Sequence, residues 1–151
     1  MNHSLFHKCD QFVLDRCQKH GPFLMRLAIF VVYVWFGLLK VLGMTPADEL
    51  VDALLTRTFP FVPEASFLIF LGIVEIFIGT LFFFPKFTRM AVLLLVIHMI
   101  TTLLPLMLLP ELTWAGFLQP TLVGQYILKN IVILALAMSV GMTCKPIGES
   151  K

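Results

Sequence analysis

Long apolar stretches, separated by short polar segments, dominate the pattern of the chain. The first runs from Leu24 to Gly43, about twenty residues without a regular polar stripe. A helix of this length spans roughly 30 Å, the thickness of the hydrocarbon core of a bilayer. A helix at the surface of a soluble core would show polar residues at a period of 3.6. The pattern therefore predicts a membrane-spanning helix.

Three further apolar stretches follow, at Ser66–Phe84, Thr88–Leu108 and Thr121–Thr143. Pro85 begins a tight turn between the second and third stretches, and Pro105 predicts a kink near the end of the third. Short connections favour antiparallel neighbours. The fold class predicted is an all-α membrane protein, an antiparallel four-transmembrane-helix bundle.

A short amphipathic helix is predicted between spans 1 and 2. Thr45 can cap it, Pro46 suits its first turn, and Asp48 follows three residues after the cap, where a carboxylate favours the helix dipole. Its apolar face is formed by Leu50, Val51, Leu54 and Leu55. A helix of this kind is expected to lie in the membrane interface.

Composition supports the membrane class and excludes others. Of the 151 residues 59% are hydrophobic and only 13% are charged, far from the usage of soluble proteins. The net charge of +2 is too small to indicate nucleic-acid binding. Only Arg57 flanks one side of the predicted spans. Most of the basic residues flank the opposite side: Lys8, Arg16, Lys19, Arg26, Lys86, Arg89, Lys145 and Lys151.

This asymmetry predicts that both termini are cytoplasmic, because lysine and arginine concentrate in cytoplasmic flanks. Three parts follow from it: a cytoplasmic N-terminal arm at 1–23, the four-helix domain at 24–143 and a cytoplasmic tail at 144–151. The histidines and cysteines of the arm match no recognised ligand spacing, so no metal site is predicted.

Five polar residues lie inside the predicted spans and are the candidates for a binding site. They are Lys40, Glu75, His98, Gln125 and Lys129. Counted from the outer ends of their spans, Glu75 and Lys129 both lie roughly 12–14 Å deep. A carboxylate and an ammonium group at equal depth are best explained as a buried pair, because either alone would be costly in a bilayer. The sequence therefore predicts a Glu75–Lys129 pair.

Two lysines face one glutamate in this set, which leaves an excess positive charge. One interpretation is a site for an anionic or electron-rich head group, in which Lys40 and Lys129 stabilise negative charge and His98 or Glu75 relays protons. The other is that Lys40 extends to the interface and the pair only locks helix packing. Supporting positions share faces with Lys40 or Glu75: Arg26, Tyr33, Gly37, Gly72 and Gly79.

Three segments are similar to the DoxX superfamily of small four-helix inner-membrane proteins, in particular its YkgB branch. They read RLAIFVVYVWFGLLKVLG in the first span, GIVEIFIGTLFFF in the second and GQYILKNIVILA in the fourth. The resemblance covers about Leu24 to Met142 and rests on one arrangement of residues: Arg26, Trp35, Gly37, Lys40, Glu75, Gly79, Gly124 and Lys129. The connection between the first two spans is shorter here than in that branch.

The resemblance implies a bacterial inner-membrane protein, since the family includes a subunit of a thiosulfate:quinone oxidoreductase and members linked to oxidative stress. No catalytic residue can be assigned, and the sequence holds no one-electron centre of its own, so electron transfer would need a quinone or a redox partner protein. Two functions remain open. One is a redox-linked subunit that binds a quinone or small anion, and the other is a non-catalytic scaffold that recruits partners or forms a homo-oligomer in the lipid bilayer.

Overall fold

The computed structural model describes residues 3–144, with side chains from residue 7 onward. Eight helices, a 3-10 turn at Pro85–Phe87 and a two-stranded hairpin follow in order: α1 (His3–Val41), α2 (Asp48–Thr58), α3 (Glu64–Phe83), α4 (Thr88–Leu103), α5 (Pro105–Leu108), α6 (Pro110–Thr113), β1 (Trp114–Gly116), β2 (Gln119–Pro120), α7 (Leu122–Leu128) and α8 (Asn130–Gly141). Lys145 and Lys151, used above to predict the orientation, lie outside the described residues.

Within residues 3–144, four helical segments are long and apolar enough to cross a membrane. They are His7–Val41, Glu64–Phe83, Pro85–Leu108 and Leu122–Gly141. Each corresponds to one predicted span, and together they indicate a multi-pass membrane protein. The third segment is interrupted at Leu104, next to Pro105, where the kink was expected.

The arm and the first span form one continuous helix. The sequence places a boundary at Gly21 and Pro22, but α1 runs through both residues for 39 residues, about 58 Å. Proline removes one backbone hydrogen bond from a helix and kinks or breaks many helices. Here the helix continues on both sides of Pro22. The first half of α1 is exposed to its surroundings on every side chain from residue 7 to residue 20.

Helices α1 and α3 approach each other closely at glycines. A Cβ atom added to Gly37 would lie 2.7 Å from the carbonyl oxygen of Gly72, and one added to Gly72 would lie 2.6 Å from the carbonyl oxygen of Gly37. Further along, a Cβ atom on Gly79 would lie 2.9 Å from that of Tyr33. Only residues without a side chain allow two helix backbones to come this close.

The main core lies where the apolar faces of the long helices meet. Ile29 and Tyr33 of α1 pack with residues of α3, α4 and α8: Ile78, Leu81, Phe82, Ala91, Leu95, Met99, Ala137 and Val140. Phe82, Ala91, Leu95, Ala137 and Val140 have no exposed surface. All four long segments therefore contribute to one packed interior.

Helix α2 packs against the protein at the start of α3. Val51 and Leu55 are buried against Leu68 in a second, smaller core. The helix begins at Asp48 with Ala47 as its cap, and the hydroxyl of the predicted cap, Thr45, accepts the backbone N–H of Ala47 in the turn before the helix.

Candidate functional site

Lys40 of α1 and Glu75 of α3 form an ion pair inside the bundle. The ammonium nitrogen of Lys40 lies 2.7 Å from Oε2 of Glu75 and 2.9 Å from Oε1. The two side chains are 13% and 11% exposed. Both carboxylate oxygens thus share one cation, and the pair links α1 to α3.

His98 of α4 and Tyr33 of α1 extend this pair into a ring of contacts. Nε2 of His98 lies 3.4 Å from Oε1 of Glu75, and Nδ1 lies 3.4 Å from the hydroxyl of Tyr33. The His98 and Tyr33 rings meet edge to face, with centroids 5.6 Å apart. The contacts start at Lys40 on α1, pass through α3 and α4, and return to α1 at Tyr33. We call these four residues the buried cluster.

The buried cluster is satisfied by its own members. Among the described residues, no buried side-chain nitrogen or oxygen atom lacks a hydrogen-bond partner. Thr101 and Thr102, which share a face with His98, donate to its backbone carbonyl oxygen at 2.7 and 2.9 Å and so stay outside the cluster. Buried polar groups are stable only when paired in this way.

Helix geometry explains why Lys40 reaches Glu75. A side chain on a helix leans toward the helix N-terminus, so Lys40 points back into the bundle although it is one residue from the end of α1. Its Cβ atom lies beside Gly72, one turn before Glu75 on α3. The glycine brings the two backbones together, and the lysine chain then spans the remaining turn.

The predicted Glu75–Lys129 pair is wrong. Lys129 is exposed, and its ammonium group lies over the ring of Tyr126 at 3.8 Å from the centroid. Gly124 and Ile127 are the buried residues of α7. Lys129 comes two residues after Ile127, a rotation of about 200° around the helix axis, so it faces away from the interior. The sequence shows that Glu75 and Lys129 lie at equal depth along their spans, but it does not show which face of each helix turns inward.

Gln125 also lies outside the buried cluster. Its side chain is exposed, and its amide nitrogen is 3.5 Å from the carbonyl oxygen of Pro120. Of the five candidates, the structure therefore brings together Lys40, Glu75 and His98, with Tyr33 as a fourth member. The excess positive charge inferred from two lysines is absent from the cluster, because one lysine faces one glutamate.

The other supporting residues divide between two places. Gly37, Gly72 and Gly79 lie at the crossing of α1 and α3, next to the cluster. Arg26 lies fourteen residues before Lys40, about 21 Å away along α1, and donates a hydrogen bond to Thr88 at 2.5 Å. It does not contact the cluster.

A cleft of about 400 Å³ opens beside the cluster, between the end of α1 and the start of α3. Lys40 lies on its wall, together with the polar residues Thr45, Asp48 and Glu64 and the apolar Leu68. Lys40 therefore belongs both to the buried cluster and to the lining of this cleft.

Replacing Lys129 by leucine is not expected to destabilise the fold. Lys129 has no ion-pair partner within the described residues, and leucine removes a charge from a membrane span, so the free energy of unfolding in mixed micelles should stay the same or rise. A drop of several kcal/mol in the free energy of unfolding would contradict this expectation and would mean that Lys129 does pair with Glu75.

No family model matches the chain, and no curated protein or solved structure matches it either.

Proposed function

We propose that the chain folds as an antiparallel four-helix bundle in a bacterial inner membrane, with both termini cytoplasmic and α2 in the outer interface. The order of contacts supports the antiparallel arrangement, since Gly37 meets Gly72 whereas the earlier Tyr33 meets the later Gly79. The one-sided distribution of lysine and arginine supports the orientation. The resemblance to the DoxX superfamily supports the location.

In function, the chain acts as a non-catalytic membrane module that presents a rigid surface to a partner. One observation carries this proposal: the buried charge of Lys40 is matched by Glu75 at 2.7 Å, within the chain itself. A cluster in which one lysine is matched by one glutamate, and in which no described buried side-chain nitrogen or oxygen lacks a hydrogen-bond partner, needs no ligand to be stable. Its role is then to hold α1, α3 and α4 in one arrangement.

An exposed polar stripe on α7 supplies the surface for the partner. Gln125, Tyr126 and Lys129 are exposed on a helix that is otherwise apolar enough to span a bilayer. A lysine that faces hydrocarbon is costly, so a partner that brings an acceptor group would stabilise it. Glu75 already has partners, and the other described carboxylates lie on the exposed first half of α1, on α2 or near segment ends: Asp10, Asp15, Asp48, Glu49, Asp52, Glu64 and Glu111. This distribution favours a different protein over a second copy of the chain.

A second candidate function is the redox-linked subunit, in which a quinone or small anion binds beside Lys40. The cleft of about 400 Å³ favours it, because its lining includes both Lys40 and apolar Leu68. Glu75, His98 and Tyr33 would then continue a path of polar contacts from Lys40 into the bundle.

Titration with a short-chain ubiquinone analogue separates the two functions. The purified wild-type chain is compared with a Lys40→Met/Glu75→Leu double variant, which removes the cation without leaving a buried charge. The scaffold predicts no saturable binding that depends on Lys40. Saturable binding to the wild type that the folded double variant loses would contradict the scaffold and establish the redox-linked subunit.

The surface for the partner is tested by crosslinking in native membranes. A photoreactive phenylalanine analogue at Gln125 should give one discrete crosslinked product. The same analogue at Phe77, an exposed apolar position on α3, is the matched control. Equal, diffuse crosslinking at both positions would contradict a specific contact on α7.

A further inference from the structure

A second polar site lies at the other end of the bundle, about 21 Å from Lys40 along α1. It is a cleft of about 500 Å³ between the end of α8, the turn that precedes α4 and the side of α1. Its lining is Arg26, Pro85, Lys86, Arg89, Thr143 and Cys144. Three of the six lining residues carry a positive charge and none carries a negative one. We call it the basic cleft.

Hydrogen bonds to two helix ends fix Arg26 at the wall of the basic cleft. One guanidinium nitrogen donates to the hydroxyl of Thr88 at 2.5 Å, and the other donates to the hydroxyl of Thr143 at 3.2 Å. Thr88 is fully buried, and its own hydroxyl donates to the carbonyl oxygen of Pro85 at 2.7 Å. The guanidinium group is therefore held in place before any ligand arrives, which lowers the entropic cost of binding.

Two exposed cationic side chains and a helix start complete the electrostatics of the basic cleft. Lys86 and Arg89 are exposed and come from the turn and from the first residues of α4. The beginning of a sixteen-residue helix adds partial positive charge from its backbone N–H groups. The nearest acidic residue along α1 is Asp15, about 16 Å before Arg26. A phosphate group is the anion that such an arginine-rich site binds best.

Two exposed aromatic residues lie on the same turn as Lys86 and favour one source of the phosphate. Phe84 and Phe87, on either side of Lys86, are 46% and 38% exposed. The ammonium group of Lys86 lies 4.6 Å from the ring centroid of Phe87. A ligand that fits both features has a charged phosphate and an apolar body beside it.

We propose that the basic cleft binds the phosphate group of an anionic phospholipid, with its acyl chains against Phe84 and Phe87. Arg26 contacts the phosphate from a fixed position, and Lys86 and Arg89 add positive charge from the same lining. Basic pockets at the ends of membrane helices bind anionic lipid head groups in this way. The proposal is independent of the function of the buried cluster.

The test is native mass spectrometry of the full chain in detergent, titrated with phosphatidylglycerol, with phosphatidylcholine and with inorganic phosphate. A Lys86→Gln/Arg89→Gln variant should bind phosphatidylglycerol about tenfold more weakly than the wild type. Binding of phosphatidylcholine should be unchanged. A Lys8→Gln/Arg16→Gln variant removes the same charge from the exposed arm and should bind phosphatidylglycerol as the wild type does.

Several results would overturn the proposal. One is equal phosphatidylglycerol binding by the wild type and the Lys86→Gln/Arg89→Gln variant. Another is an equal loss in the arm variant, because this would mean attraction by net charge alone. Saturable binding of inorganic phosphate without preference for phosphatidylglycerol would assign the cleft to a soluble anion. A Lys86→Arg/Arg89→Lys variant keeps the charge and should retain lipid binding. That result would show that the glutamine variant loses binding because it loses the two charges and not because it unfolds.

Discussion

Glu75→Leu is expected to lower the free energy of unfolding by about 3–5 kcal/mol, the largest effect of any single replacement in the buried cluster. The replacement leaves the ammonium group of Lys40 inside the bundle without its carboxylate, and it also removes the contact of Nε2 of His98 with Glu75. An uncompensated charge in a low-dielectric interior is far more costly than a missing contact. Unfolding in mixed detergent micelles, followed by circular dichroism, measures the difference.

Glu111→Leu is the matched control for this prediction. Glu111 also forms an ion pair, with Arg57 at 3.0 Å, but the two side chains are 56% and 54% exposed. An exposed pair contributes about 0–1 kcal/mol, so its loss should hardly change the transition. Equal destabilisation by both replacements would mean that the buried pair of Glu75 contributes no more to stability than the exposed pair of Glu111.

Gly72→Ala is expected to destabilise the bundle by about 1–3 kcal/mol, although alanine favours a helix. The new methyl group would lie 2.6 Å from the carbonyl oxygen of Gly37 and 3.1 Å from Cβ of Lys40. A backbone carbonyl cannot move aside as a side chain can, so α1 and α3 must separate. Separation would also draw Lys40 away from Glu75. Thermal melting of the purified protein gives the measurement.

Gly21→Ala provides the control for the effect of alanine itself. Apart from its chain neighbours and the backbone of its own helix, no atom lies within 4 Å of a Cβ at Gly21, which directly follows the exposed stretch of α1. That replacement should be neutral or stabilise the helix by up to about 1 kcal/mol. If both alanines behave alike, the close approach at Gly72 is not required for the fold.

The spans were predictable because their signal is local. Twenty apolar residues in a row predict a helix of membrane length whatever the rest of the chain does, and the prolines at 85 and 105 mark real interruptions. The continuity of α1 through Pro22 was not predictable from propensity, because a proline inside a helical pattern ordinarily signals that the helix ends or kinks there.

The membership of the cluster was harder to predict because it depends on which face of each helix turns inward. The sequence shows the depth of Lys129 along its span, but its direction follows from the burial of Gly124 and Ile127, which needs the packed structure. The sequence left open whether Lys40 contacts a head group or extends to the interface, and it did not pair Lys40 with Glu75. The seven-residue spacing of Tyr33 and Lys40, with Gly37 between them, was the available signal that this face of α1 is internal.

A pair of double-mutant cycles tests the buried cluster most directly. The first combines Lys40→Met with Glu75→Leu, and the second combines Lys129→Met with Glu75→Leu; each measures the free energy of unfolding of both singles and the double. The account predicts a coupling of about 2 kcal/mol in the first cycle, so that the double variant is more stable than Glu75→Leu alone, and no coupling in the second. Coupling of Glu75 to Lys129 and not to Lys40 would contradict it.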